Sequence, residues 1–300
     1  MKFWGRVYLS FVVLGGLSIA GLTFANVEWS KGFSLSLITF GSLAFFSQIF
    51  EIEILYRRWI STAMAVFVAA IFLGGSKLAV SVVFLSTLAS EIFLNYNELR
   101  NGKIKSFLER TLFNTGQLVI AVFSGSVAFK LAGGHPPPWS DVIDFFPPLL
   151  TFAVSWMVNI GLLSAIMSFV ERVSFFYYFK FDIFNLSIPV FSLSVLAMLL
   201  AIVYTLSPWY ILLAVVPMML IHYSFMGLTR LRRSAIEAFE KLMKALHLRD
   251  EYTAYHSERV AELSVKIARK LRLPQEEIER IRAAARIHDI GKVAIPDKVL

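Results

Sequence analysis

From Val7 to about Gly227 the chain is a succession of long apolar runs, and no other feature of the sequence limits its fold so strongly. A helix rises 1.5 Å per residue, so crossing roughly 30 Å of hydrocarbon takes about 20 mostly apolar residues. Eight segments qualify on that scale: Trp4–Ala25, Phe33–Phe50, Trp59–Gly74, Leu78–Leu94, Leu112–Leu131, Phe146–Phe169, Asn185–Leu206 and Trp209–Leu228. The expected fold class is therefore all-α, opening on a polytopic bundle of about eight transmembrane helices. Composition agrees, since 57% of residues are hydrophobic and only 17% charged, where a soluble domain carries about a quarter charged residues. The excess is uneven. From Arg230 onward the chain is charged and patterned like an ordinary helical protein.

Loop charges orient the bundle. With a cytoplasmic N-terminus, the inner segments carry Lys2, Arg6, Arg57, Arg58, Arg100, Lys103, Lys105, Arg110, Arg172 and Lys180. The outer ones carry Lys31, Lys77 and Lys130. This is the positive-inside asymmetry, and an even number of spans returns the chain to the side where Arg230, Arg232 and Arg233 follow the last helix. The expectation is a multi-pass protein of the cytoplasmic membrane, surrounded by lipid, with both termini in the cytoplasm; six spans with two re-entrant segments would fit the same charges. The net charge of +8 is spent in these loops, with no basic stripe interleaved with aromatics, so a nucleic-acid polymer is not an expected partner. The absence of cysteine excludes disulfides, thiolate metal ligands and a cysteine nucleophile.

Few ionisable groups fall inside the spans. Glu91 lies near the inner end of the fourth, where it is expected to snorkel to the interface, and His222 lies within the eighth. Asn114, Thr115, Gln117, Asn159 and Asn185 are placed to join helices or line a cavity. Gly133-Gly134-His135-Pro136-Pro137-Pro138-Trp139 is too stiff for a helix and is expected to cap the outer face.

Residues 229–248 read as one connecting helix without Gly or Pro. Leu228, Leu231, Ala235, Ala238, Leu242 and Ala245 alternate three and four apart, a short heptad-like stripe suited to a homodimeric stalk. Packing on the following domain would use the same stripe.

The chemistry sits in residues 249–300. Thr253 suits an N-cap, and the helix it opens carries His256, Val260, Leu263, Ile267 and Leu271 on one face; an inward His256 is the expectation. Pro274 suits the first turn of the next helix, on which Ile278, Ile281, Ala285 and His288 form a second stripe, with Asp289 following and Gly291 as a break. Two histidines on neighbouring helices and an adjacent aspartate make a metal-ligand set suited to Fe, Mn, Zn or Ni. Lys292 stands one turn past His288, where it can neutralise a phosphate oxygen.

Arg249-Asp250-Glu251-Tyr252-Thr253-Ala254-Tyr255-His256-Ser257-Glu258-Arg259-Val260 resembles the opening signature of HD-GYP domains, and His288-Asp289-Ile290-Gly291-Lys292 their HD motif. Ile295-Pro296-Asp297-Lys298-Val299-Leu300 resembles the segment that follows. The resemblance implies an all-helical metal-dependent phosphohydrolase, typically a bacterial phosphodiesterase that linearises cyclic di-GMP and is fused to a membrane sensor. It implies that His256, His288 and Asp289 are metal ligands and that Asp289 and Lys292 are catalytic, Lys292 by contacting substrate phosphate. Some members carry a glutamate four residues before the first histidine and bind a third metal. This chain has Tyr252 there, so two divalent ions, Fe or Mn by preference, are expected. The family's further histidines, final aspartate and GYP motif would fall beyond Leu300, and the expectation is an incomplete domain in a piece of a longer protein. The expected organisation is thus a sensor-like membrane region at 1–228, a connecting helix at 229–248 and the opening of an HD-GYP domain at 249–300. The competing readings are another HD nucleotide phosphohydrolase, and a receptor- or transporter-like protein with a docking stub.

Overall fold

The computed structural model describes residues 3–55, 58–171, 173–249, 251–271, 273–289 and 291. Among the described residues ten α-helices follow one another: α1 (Phe3–Ala25), α2 (Lys31–Ile49), α3 (Ala63–Leu94), α4 (Tyr96–Arg100), α5 (Ile104–Leu131), α6 (Phe146–Glu171), α7 (Phe175–Leu206), α8 (Ile211–Arg249), α9 (Glu251–Lys270) and α10 (Gln275–Ile287). The all-α class holds. The exception among the described residues is a two-stranded ribbon, β1 (Ile52–Leu55) and β2 (Arg58–Ile60), between α2 and α3. Its Ile-Glu-Ile alternation fits a pleat, and it delays the third apolar helix from Trp59 to Ala63.

Six helices among the described residues are long and apolar enough to cross a membrane, and Phe191–Leu206 within α7 is a shorter apolar stretch. The eight expected segments fall on these seven because the third and fourth share α3. Within α3 the backbone leaves helical geometry at Gly74 and Gly75, the latter at φ 60° and ψ −153°. That region is open essentially to glycine alone, so the pair divides α3 into two helical halves.

The chain forms two compact units, the first being Met1–Ile52, Ile60–Val170 and Ser174–Tyr223. Its centre is the first half of α3, where Ala65 through Phe72 are all buried; a helix apolar on every side belongs in an interior. Phe40 of α2, Val119 and Val122 of α5, and Leu196 and Leu200 of α7 join the same core. Small residues let helices approach closely. Gly16 of α1 lies directly on the backbone of Gly116 in α5, and Gly125 of α5 lies against Ser155 of α6.

Polar side chains join helices in several places. Gln117 donates to Asn159 across α5 and α6 at 2.8 Å. The Glu91 carboxylate accepts from Asn114 at 2.6 Å and Asn95 at 2.9 Å, with the Arg110 guanidinium at 3.7 Å. Arg110 in turn holds Glu98 of α4 through both terminal nitrogens. His222 packs edge-on against the Phe50 ring. Asp182 of α7 is 1% exposed within this unit.

The loop from 133 to 145 is folded. Trp139 meets Phe72 and Phe145 edge-on and donates its indole N–H to the His135 carbonyl at 2.9 Å. The Asp144 carboxylate accepts from the backbone of Ser140 and Asp141 and stands 3.5 Å from His135 Nε2. Donation to the Pro136 carbonyl, then the bond and charge of Asp144, raise the His135 pKa above its ordinary value. The Asp141 backbone, then Ser140 and His135, lower that of Asp144. A raised histidine stabilises fully below about pH 6.5 and loses its contribution as pH rises through the folded pKa; a lowered aspartate contributes above about pH 3.9 and fails as pH falls. Proteolytic nicking of this loop should therefore increase as pH climbs from below about 6.5 through the raised histidine pKa. His135→Gln should already be nicked readily below that pH and show no such rise; an unchanged pH response in that variant would refute the pairing.

The second unit comprises Glu53–Trp59, Glu171–Val173 and Ser224–Leu300. Helix α8 belongs to the first unit as far as Tyr223 and to the second from Ser224. It is unbroken to Arg249, as the absence of Gly and Pro after Gly227 predicts. Beyond it, α9 and α10 pack through Val265, Ala268 and Ile278, flanked by Leu273 and Ile281. Ion pairs three residues apart, Glu277–Arg280 and Glu279–Arg282, line α10.

Candidate metal centre

Helix α9 opens at Glu251 rather than at Thr253, so His256 stands in its second turn. The face of α9 against α10 is lined by Ser257, Ala261, Val265 and Ala268, all buried. The predicted inward stripe lies on the other side, with Leu263, Ile267 and Leu271 exposed by 50, 60 and 67%. The reason is size: small side chains allow two short helices to approach, and the larger ones are turned away. On α10 the predicted stripe does face α9, with Ile278 and Ala285 buried. The helix ends at Ile287, ahead of Gly291, with His288 as its C-cap.

This packing brings the chemistry together. Ligand atoms of His256, His288 and Asp289 all lie within 4.8 Å of one another. The two imidazole centroids are 5.6 Å apart. Both histidines are exposed rather than turned into a core, and Asp289 is half-buried. His288 Nδ1 lies 2.8 Å from the Ala285 carbonyl. A carbonyl only accepts, so in this bond Nδ1 is the donor and the Nε2 lone pair is left available, as in a histidine whose ring is oriented for a metal by a backbone carbonyl. His288 Nε2 is 3.5 Å from Asp289 Oδ2. Two neutral nitrogen donors and one carboxylate converging on one point suit a divalent transition metal. Lys292 lies outside the described residues.

Residues 253–300 match the HD domain model. The C-terminal segment is an HD domain. Curated relatives match stretches of 51 to 70 residues of the chain. A cyclic di-GMP phosphodiesterase response regulator of Xanthomonas campestris is 41% identical over 64 residues, 21% of this chain and 17% of the relative. A cyclic di-GMP phosphodiesterase of Pseudomonas aeruginosa is 45% identical over 51 residues, 17% of this chain and 12% of the relative. A 3′3′-cGAMP-specific phosphodiesterase of Vibrio cholerae is 37% identical over 70 residues, 23% of this chain and 13% of the relative. The chain thus spans between 12 and 17% of the length of these relatives. No solved structure matches it. The six long apolar helices ahead of the HD segment fit a membrane region.

One pair of residues escaped the sequence reading. Arg286, two before His288, forms a two-pronged ion pair with Glu258, two after His256, at 2.9 and 2.7 Å. Each is one of many charged residues on its helix, so no local pattern singles them out.

Proposed function

We propose that this is a membrane-bound signalling protein whose HD segment contributes to a metal-dependent centre hydrolysing cyclic di-GMP. The observation that carries the reading is the convergence of His256, His288 and Asp289 within 4.8 Å inside the matched HD segment. In this reading His256, His288 and Asp289 would hold divalent metal, two ions with Fe or Mn by preference, the histidines offering nitrogen donors and Asp289 the carboxylate. The ions supply Lewis acidity toward a phosphodiester and lower the pKa of water. The protein's own part is positional: His288 presents Nε2 because Ala285 fixes its tautomer, Asp289 adds the negative charge, and Lys292 contacts a substrate phosphate oxygen. Purified full-length protein charged with Mn²⁺ or Fe²⁺ should linearise cyclic di-GMP, and His288→Ala should abolish turnover. Equal turnover by that variant would remove the assignment. The specificity of the Vibrio relative for 3′3′-cGAMP favours that dinucleotide as a second substrate, so both belong in the assay.

The same proposal places the chain in the cytoplasmic membrane with both termini inside, residues 229–248 connecting membrane region to enzyme and pairing two copies. Three apolar helices, α6, α7 and α8, separate Ala132 from Leu248, so reporters fused at these points should show opposite sidedness. The break at Gly74–Gly75, if it turns the chain back, returns an N-terminal reporter to the side of the Leu248 fusion. Opposite sides for those two would replace the even-span topology with an odd one.

A further inference from the structure

The apolar contact between α9 and α10 is short: Val265 and Ala268 meet Ile278, flanked by Leu273 and Ile281. Such a surface holds two helices together but resists sliding and rotation weakly. A metal needs more, because its nitrogen and oxygen donors must each arrive at about 2.0–2.2 Å. The donors here come from two helices, so sub-ångström register between those helices decides whether they can be met together.

The structure assigns that register to the Glu258–Arg286 pair, which we infer to be a positioning clamp for the metal centre; the inference rests on the metal reading above. The two residues are 28 apart in sequence. Each stands two residues from a histidine of the set, Glu258 from His256 and Arg286 from His288. Arg286 Nε donates to one carboxylate oxygen at 2.9 Å and Nη2 to the other at 2.7 Å. Two parallel bonds from a planar fork fix a distance and an orientation together, which one bond or a point charge cannot do. Both side chains are about two-fifths exposed, at 41 and 45%, so screening leaves the pair little Coulomb stabilisation. Its contribution is geometric, and it acts within one helical turn of both imidazoles. Neither residue touches the metal in this account; both are positioning residues.

The test is a Co²⁺ titration of the purified chain in detergent, followed by its visible absorption, with circular dichroism on every sample. Partners that orient metal ligands typically set affinity by 10–100-fold, so Glu258→Gln and Arg286→Gln should each weaken Co²⁺ binding by about tenfold or more with helical content unchanged. Arg286→Lys keeps the charge and loses the fork, and should be as weak as Arg286→Gln. The exchange Glu258→Arg with Arg286→Glu should recover most of the affinity. Single variants binding within about twofold of the parent, or Arg286→Lys binding like the parent, would overturn the clamp. Loss of affinity together with loss of helical signal would assign the pair to ordinary packing, again against the clamp. A parent that binds no Co²⁺, or a His288→Ala variant that binds as the parent does, would overturn the metal reading itself and the clamp with it.

Discussion

Asp289→Ala should strip the metal centre and end phosphodiester hydrolysis together. Of the three converging ligands it is the sole anion; His256 and His288 offer neutral nitrogens, the latter with its proton held on Nδ1 by Ala285. Removing it leaves a divalent charge facing two uncharged donors. Outer partners of metal ligands cost 10–100-fold when lost, so loss of the carboxylate itself should cost more than about 100-fold in metal affinity. Lys292→Ala should behave differently. Metal content should stay at the parent level while substrate affinity or turnover falls, because an ammonium beside a phosphate oxygen plays no part in holding a cation. Metal analysis of the two purified variants beside their rates of cyclic di-GMP cleavage separates the roles. Full metal and parental turnover in Asp289→Ala would return the two histidines to being ordinary surface residues of α9 and α10.

How far such a site is legible depends on what each residue's pattern encodes. The apolar helices α1, α2, α5, α6 and α8 follow from run length, because lipid demands a minimum span whatever the detailed packing. The division of α3 does not. Gly74-Gly75 reads as a weak spot between two runs, and only the backbone at φ 60° shows that the helix actually breaks there. The ribbon of Ile52–Leu55 and Arg58–Ile60 was hidden because four alternating residues weigh little beside two long apolar neighbours. The pair of histidines and Asp289 were legible as a motif, and the structure brings them together. Their setting was misread. On α9 two apolar stripes coexist at helical spacing, Leu263-Ile267-Leu271 and Ala261-Val265-Ala268, and hydrophobicity favours the larger residues while close packing against α10 selects the smaller. The neighbours of Glu91 are only partly local: Asn95 lies one turn along the chain, whereas Asn114 and Arg110 both come from α5, which no local window contains.

Gly16→Ala should unfold the membrane unit at a markedly lower temperature than the parent protein. Helix α1 buries Val12, Gly16, Ala20 and Thr23 at successive turns, a stripe of mostly small residues facing α5. A Cβ added at Gly16 would fall on the backbone of Gly116, and one added at Gly116 would stand 2.9 Å from the Val12 carbonyl oxygen. Backbone cannot change rotamer, so relief requires separating the helices and with them the contacts of Val12 and Phe113 with Ile166. Overpacking a well-filled site costs about 1–3 kcal/mol, and the absence of a flexible partner puts this case at or above the upper end. Gly21 on the same helix supplies the comparison, since a Cβ there meets nothing within 4 Å. Gly21→Ala should match or slightly exceed the parent, because alanine is favoured over glycine in a helix by about 1 kcal/mol. Thermal unfolding in detergent, read from the far-ultraviolet helical signal, ranks the three proteins. If Gly16→Ala melted together with Gly21→Ala, the close crossing of α1 and α5 at Gly16 and Gly116 would not be what holds those helices together.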